Sequence, residues 1–215
     1  MEIEWDFSKE NSKEQDNLAL GLSIIPVASN KIPFKPWAEY QKSVSPIQLW
    51  HSHYLNEKTI GIITGKVSLN LECIDVDVKN DPKKVIMTEL SDLIPDELLK
   101  RVLIQTTPNN GFHLIYRCPE ATIGKSQKLA LNSDKEVIIE TRGEGGYFCT
   151  NMANNKILQG RFDLKNLCVD IPILSSVERE FLLETARSLT RYYPTGYTSK
   201  NGKPFVYSES AINDF

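Results

Sequence analysis

Apolar positions along this chain fall in short blocks separated by polar stretches rich in proline and glycine. Residues 8–17 are polar, whereas Leu18–Val27 is largely apolar and reads as ending in a strand at Ile24–Val27. Pro33 and Pro36 exclude a helix from Asn30–Trp37 and make it an ordered loop. Ser45-Pro46 is a helix start, with Ser45 as N-cap and Pro46 in the first turn, opening a helix through Tyr54. Thr59–Ile63 reads as a short buried strand. Leu69–Val78 is the clearest strand, followed by a helix that Asp81-Pro82 caps and that runs to about Leu90. A second short helix follows Pro95. Val102–Thr106 and Phe112–Cys118 are strands joined by the turn Thr107-Pro-Asn-Asn-Gly111. Glu136–Arg142 is a further strand, turned by Gly143-Glu-Gly-Gly146 into Tyr147–Thr150. Ser175–Tyr192 carries a helical apolar stripe (Val177, Phe181, Leu182, Thr185, Leu189) with Ser176 placed to N-cap it. Residues 193–215 are polar with Gly, Pro and Ser and read as a linker-like tail after a domain spanning 18–192.

Strand periodicity turns these blocks into candidate chemistry, because alternate side chains share a face. Along the Leu69 strand one face reads Leu69, Leu71, Cys73, Asp75, Asp77, Lys79, while the other carries Ile74, Val76 and Val78. Two carboxylates two residues apart lie roughly 6.6 Å apart along the strand, on one side. Like charges gathered at a buried strand end repel and lose hydration, and a cation between them relieves both. Asp75-x-Asp77 is therefore a candidate site for a hard divalent ion such as Mg²⁺ or Mn²⁺. In the same way His113, Ile115 and Arg117 share a face, as do Glu136, Ile138, Glu140 and Arg142. If these strands are neighbours with matching faces, Asp75, Asp77 and Glu140 form a three-carboxylate cluster surrounded by His113, Arg117 and Arg142. Acids for metal ions, with Arg and His for phosphate oxygens, are what phosphoryl or nucleotidyl transfer requires. The blander readings stay open at this point: a solvated strand end, a hydrogen-bonded structural histidine, and an Arg142 that only pairs with Glu140. His51 and His53 are given no role.

The 215 residues are enough for one main domain that folds without disulfide or metal staples. Cys73, Cys118, Cys149 and Cys168 have neither metal-binding spacing nor a disulfide framework, and they read as reduced core residues. No apolar run is long enough to span a bilayer, and the acidic start Met1-Glu-Ile-Glu-Trp-Asp6 is unlike a signal peptide. A cytoplasmic protein without a membrane partner is expected. Net charge is −3, without the overall basic signature of many nucleic-acid binders. Residues 1–16 alone hold six acids and two lysines, so the remainder is near neutral and a local basic groove is permitted.

The order of motifs resembles the archaeo-eukaryotic primase superfamily, in particular the primase-polymerase domain at the N-terminus of replication proteins from phages, plasmids and integrated elements. The matching pieces are Ile25-Pro-Val27 with Lys31-Ile-Pro33 and Trp37; Gly61-Ile-Ile-Thr-Gly65; Cys73-Ile-Asp-Val-Asp77; Thr107–Arg117; and Ile139-Glu-Thr-Arg-Gly-Glu-Gly-Gly-Tyr147. The resemblance implies an α+β fold with an RRM-like palm sheet flanked by helices, plus a smaller N-terminal αβ unit. It implies two divalent ions, Mg²⁺ or Mn²⁺, on Asp75, Asp77 and Glu140. His113 would meet the phosphates of an incoming NTP or dNTP, and Arg142 and Lys31 would be further nucleotide or template contacts. The reaction would be template-directed attack of a 3′-hydroxyl on the α-phosphate along single-stranded DNA, releasing pyrophosphate. Such domains often precede a helicase, which suits the tail at 193–215.

Two other classes share parts of this pattern. Asp77-Val-Lys79 fits the (D/E)xK strand end of metal-dependent nucleases, although strand periodicity places Lys79 beyond the sheet. A non-catalytic nucleic-acid-binding module would need no intact trio of acids.

Overall fold

The computed structural model describes residues 20–57, 59–151 and 155–192. The tail expected at 193–215 and the polar segment 8–17 lie outside the described residues. The element order is β1 (Ser23–Pro26), α1 (Ile47–Glu57), β2 (Thr59–Ile63), β3 (Leu71–Val76), α2 (Ile86–Leu93), α3 (Asp96–Leu99), β4 (Leu103–Thr106) and β5 (Phe112–Arg117). It continues with β6 (Lys128–Leu131), β7 (Val137–Arg142), β8 (Tyr147–Asn151), β9 (Ile157–Gln159), β10 (Arg161–Asp163), β11 (Cys168–Asp170) and α4 (Ser176–Ser188). The expected α+β class holds. An antiparallel six-stranded sheet runs β6-β7-β3-β5-β4-β9, and a three-stranded sheet runs β1-β2-β8.

The two faces of the large sheet bury different things. Ile74, Val76, Leu114 and Tyr116 pack with Ile86 and Leu90 of α2, Leu98 of α3 and Leu182, Leu183 and Ala186 of α4. Leu71, Cys73, Leu103 and Ile115 instead meet Leu22 and, from the small sheet, Ile24, Ile60 and Ile62, with Trp50 and Tyr54 of α1. The alternation read along the Leu69 strand is therefore real, and the face that begins apolar and ends in acid is the one turned to the small sheet.

Glu72 interrupts the helix-facing side of β3. It is 1% exposed and takes a two-pronged contact from Arg179 of α4, Nε to Oε2 at 2.6 Å and Nη2 to Oε1 at 2.9 Å. The Tyr116 hydroxyl donates to the same Oε2 at 2.8 Å. A buried ion pair so saturated fixes where α4 docks on β3.

Several element ends differ from the sequence reading, each for a local reason. Leu69 and Asn70 adopt positive φ of 58° and 56°, so β3 starts only at Leu71. Asp81 does cap α2, its Oδ2 accepting from Val85 N–H and Ile86 N–H. The helix nevertheless begins five residues later than Asp81, after Lys84 at φ 54°. Ser175, not Ser176, caps α4. Its hydroxyl accepts from Glu178 N–H while Glu178 Oε2 accepts from Ser175 N–H, which is a capping box. The helix ends at Ser188 rather than Tyr192. The short strands β6, β9, β10 and β11 were not expected. None of the four cysteines is disulfide-bonded, and Cys73 and Cys118 are buried. Among the described residues no helix is long and apolar enough to cross a membrane.

Replacing Arg179 by Met should leave the Glu72 charge buried and unpaired. The unfolding free energy in urea should drop by about 3 kcal/mol, with the helical circular dichroism signal retained below the transition.

Candidate nucleotide-binding cleft

Where the core between the two sheets ends, a cleft of about 390 Å³ opens. Its walls come from both sheets and from the proline-stiffened loop: Lys31 and Trp37 from the loop, Asp75, His113 and Arg142 from the large sheet, Tyr147, Phe148 and Cys149 from β8, and Ser126, Gly145 and Gly146 from turns. The loop is held by an isolated bridge between Val27 and Pro33 and by the Tyr147 hydroxyl donating to the Lys31 carbonyl at 2.8 Å. Trp37 packs edge-on against Tyr147 at 5.1 Å between ring centres.

Strand register places the charged side chains. Asp75 on β3 stands opposite Glu140 on β7 and opposite His113 on β5. Residues opposite each other in an antiparallel pair point to the same face. Arg142, two residues along β7 from Glu140, reaches back across both acids. Its Nη2 lies 2.8 Å from Asp75 Oδ2 and 2.7 Å from Glu140 Oε1. One guanidinium nitrogen thus holds two carboxylates from neighbouring strands. Burial opposes the charge on Arg142, but Asp75 and Glu140 outweigh it and raise its pKa. Asp77 lies just past the strand end. Its Oδ1 accepts from Lys79 N–H at 3.0 Å and its Oδ2 is 3.3 Å from Lys79 Nζ. Among the described residues no three Asp, Glu, His or Cys side chains are grouped closely enough to hold a metal ion.

His113 is 4% exposed. Its Nε2 faces Asp75 Oδ1 at 3.6 Å, its Nδ1 is 2.7 Å from Gln105 Nε2, and its ring meets Phe148 edge-on. Burial drives its pKa down to about 4. The Asp75 charge pulls the other way, while Lys31 and Arg142 push further down. The ring is therefore neutral near pH 7. Cys149 stays a protonated thiol, because burial lifts its pKa to about 11.

Of the residues singled out from the sequence, Asp75, His113, Arg142 and Lys31 line the cleft, and Glu140 is joined to it through Arg142. Arg117 is not brought there. It pairs with Leu71, four residues from His113 and so roughly 13 Å away along β5. Its Nη2 donates to the carbonyls of Leu20 and Gly21. Its placement ties the start of the described chain to β5 and gives it no contact with the cleft. Lys79 is likewise absent from the lining and engages Asp77 outside it. Gln105 was missed. The available signal was a lone amide in the apolar strand Leu103–Thr106, opposite His113 across the Thr107–Gly111 turn.

The Gly143–Gly146 turn carries the chain from the large sheet into the small one. At Gly143 a Cβ would lie 2.2 Å from the Gly124 carbonyl oxygen, and Gly145 has φ 73°. The Thr64 hydroxyl donates to the Gly143 carbonyl, and Glu144 Oε2 accepts from Lys66 N–H at 2.7 Å. The run is therefore a clamped crossover whose last two residues border the cleft.

The lowered His113 pKa has a definite linkage sign. Since the folded value lies below the ordinary one, its contribution to stability is complete above about pH 6.5 and is lost as pH falls from there to about 4. Urea denaturation across that window should show a slope of up to ~1.4 kcal/mol per pH unit that flattens in His113→Gln.

No curated protein matches the chain. The family model described as the N-terminal domain of bifunctional DNA primase/polymerase matches residues 15–161, a span that contains every residue of the charged cluster and the loop that faces it. With that match over most of its length, the chain belongs to the bifunctional DNA primase/polymerase N-terminal family.

Proposed function

We propose that the cleft performs template-directed nucleotidyl transfer: a 3′-hydroxyl on single-stranded DNA attacks the α-phosphate of an NTP or dNTP, and pyrophosphate leaves. DNA primase/polymerase activity in general follows from the family. The observation that carries the finer reading is the convergence of Asp75, His113 and Arg142 from three adjacent strands on one cleft, with Glu140 joined to them through Arg142.

Asp75 and Glu140 converge on one positive nitrogen of Arg142, and their carboxylate oxygens suit Mg²⁺ or Mn²⁺ when the guanidinium gives way to the ion. Asp77 joins them only by turning away from Lys79. Asp75, Asp77 and Glu140 are then the residues that would hold the two ions the reaction calls for. Such ions would supply charge neutralisation and Lewis acidity at the reacting phosphate.

The protein's own groups account for the rest. His113, neutral and buried, offers an N–H to a phosphate oxygen without the cost of burying a charge. Lys31 and Arg142 supply positive charge in the lining. Trp37 and Tyr147 form an apolar wall that a nucleobase can stack on. A primer and template pass along this opening, and a helicase domain or subunit is the expected partner. The setting is replication of a mobile element or phage.

Primer-extension and primer-synthesis assays with Mg²⁺ or Mn²⁺ test the reading. Pyrophosphate release should require template and nucleotide together. Asp75→Asn, and the double change Asp75→Asn/Asp77→Asn, should cut it by at least roughly a hundredfold. His113→Ala should raise the nucleotide KM more than it lowers kcat. Wild-type turnover by the double variant would refute the assignment.

A further inference from the structure

We infer that Gln105 and Thr150 act as positioning residues that keep the hydrogen of His113 on Nε2, aimed into the cleft. This rests on the reading of His113 as a nucleotide contact. It concerns which ring nitrogen carries the hydrogen, not whether the ring is charged.

The three residues come from three strands and two sheets. Gln105 on β4 lies opposite His113 on β5, and Thr150 on β8 belongs to the small sheet. Gln105 is fully buried and Thr150 is 5% exposed. The Gln105 amide touches both partners: its Nε2 is 2.7 Å from His113 Nδ1, and its Oε1 accepts from the Thr150 hydroxyl at 3.1 Å. A neutral imidazole has one donor and one acceptor nitrogen. Two chains of hydrogen bonds would satisfy these contacts. In one, Thr150 donates to Gln105 and Gln105 donates to Nδ1. In the other, the amide is flipped, Nδ1–H donates to Gln105, and Gln105 donates to Thr150.

Asp75 decides between them. Its Oδ1 lies 3.6 Å from Nε2. In the first chain it faces an N–H. In the second it faces a lone pair, and two electron-rich atoms oppose each other beside a ring that is only 4% exposed. The first chain is therefore the stable one, and it has a chemical consequence. The nitrogen facing the cleft is a donor before any nucleotide arrives, so no tautomer change accompanies phosphate capture. The reverse tautomer would present a lone pair to phosphate oxygens and repel them.

The same chain has a mechanical side. His113 sits in the large sheet, Thr150 in the small one, and Gln105 links them within the interior. The ring's orientation is thus set by both walls of the cleft together.

The test joins nitrogen-15 NMR to steady-state kinetics on the full chain. The sequence holds only three histidines, so His113 can be assigned by comparison with His113→Ala. Wild-type protein near pH 7 should show the Nε2–H pattern with a bare, hydrogen-bonded Nδ1. An Nδ1–H pattern would overturn the inference. Gln105→Leu should shift the Nδ1 resonance and raise the nucleotide KM about three- to tenfold, with kcat within about twofold. Thr150→Val should move both readouts the same way by less, and Thr150→Ser should restore them. Thermal melts confirm that each variant is folded at the assay temperature. If His113→Ala raises KM while folded Gln105→Leu keeps the wild-type KM and Nδ1 resonance, the positioning role is wrong and the nucleotide reading stands. If His113→Ala leaves KM unchanged, the nucleotide reading itself fails, and with it the purpose assigned to the chain.

Discussion

One transverse row of residues organises this molecule. Reading across the large sheet, Lys128, Glu140, Asp75, His113 and Gln105 stand in register on β6, β7, β3, β5 and β4. Antiparallel pairing turns them toward one face, and the next row toward the interior, Arg142, Cys73, Ile115 and Leu103, is largely core. The site exists because an apolar face becomes polar one step before its covering sheet parts from it. The position of β3 between β5 and β7 is what lets a single aspartate meet both a carboxylate and an imidazole.

The opposite face of β3 carries the complementary constraint. Glu72 and Asp75 are three residues apart and so lie on opposite sides of the sheet. Each is held by an arginine, Arg179 from a helix and Arg142 from the neighbouring strand. The first pair is sealed in the core and fixes α4. The second borders the cleft, with Asp75 19% and Arg142 34% exposed. Burial separates a structural ion pair from one available to chemistry. α4 lies beyond the family match at 15–161, yet Leu182 and Leu183 complete the core beneath β3.

Much of this was legible in the sequence because strand alternation is a strict rule. Period-two reading found the face of Asp75, the shared faces of His113 and Glu140, and the apolar reverse side. It failed where face alone is insufficient. Arg117 shares His113's face, but periodicity does not say how far along a strand a residue lies, and four residues were enough to remove it from the site. Asp77 obeys the alternation only until β3 ends at Val76, after which the Lys79 backbone takes its carboxylate. The strands β9–β11, of three residues each, are too short to show a pattern, and pairing with neighbours defines them. Gln105 was overlooked because its meaning lies in cross-strand register, which a strand read by itself does not display. The delayed start of α2 and the late start of β3 depend on left-handed backbone at Lys84, Leu69 and Asn70, residues that are not glycine.

The bridging of Asp75 and Glu140 by Arg142 has a consequence for ionic strength. Close, part-buried pairs are screened only weakly by dissolved salt, whereas the field of an exposed charge decays over a Debye length of about 8 Å at physiological salt. Because the acids carry their own counterion, added electrolyte leaves their mutual arrangement nearly untouched. It acts instead on the long-range field of exposed charges such as Lys31, so field and architecture in this protein answer to salt separately.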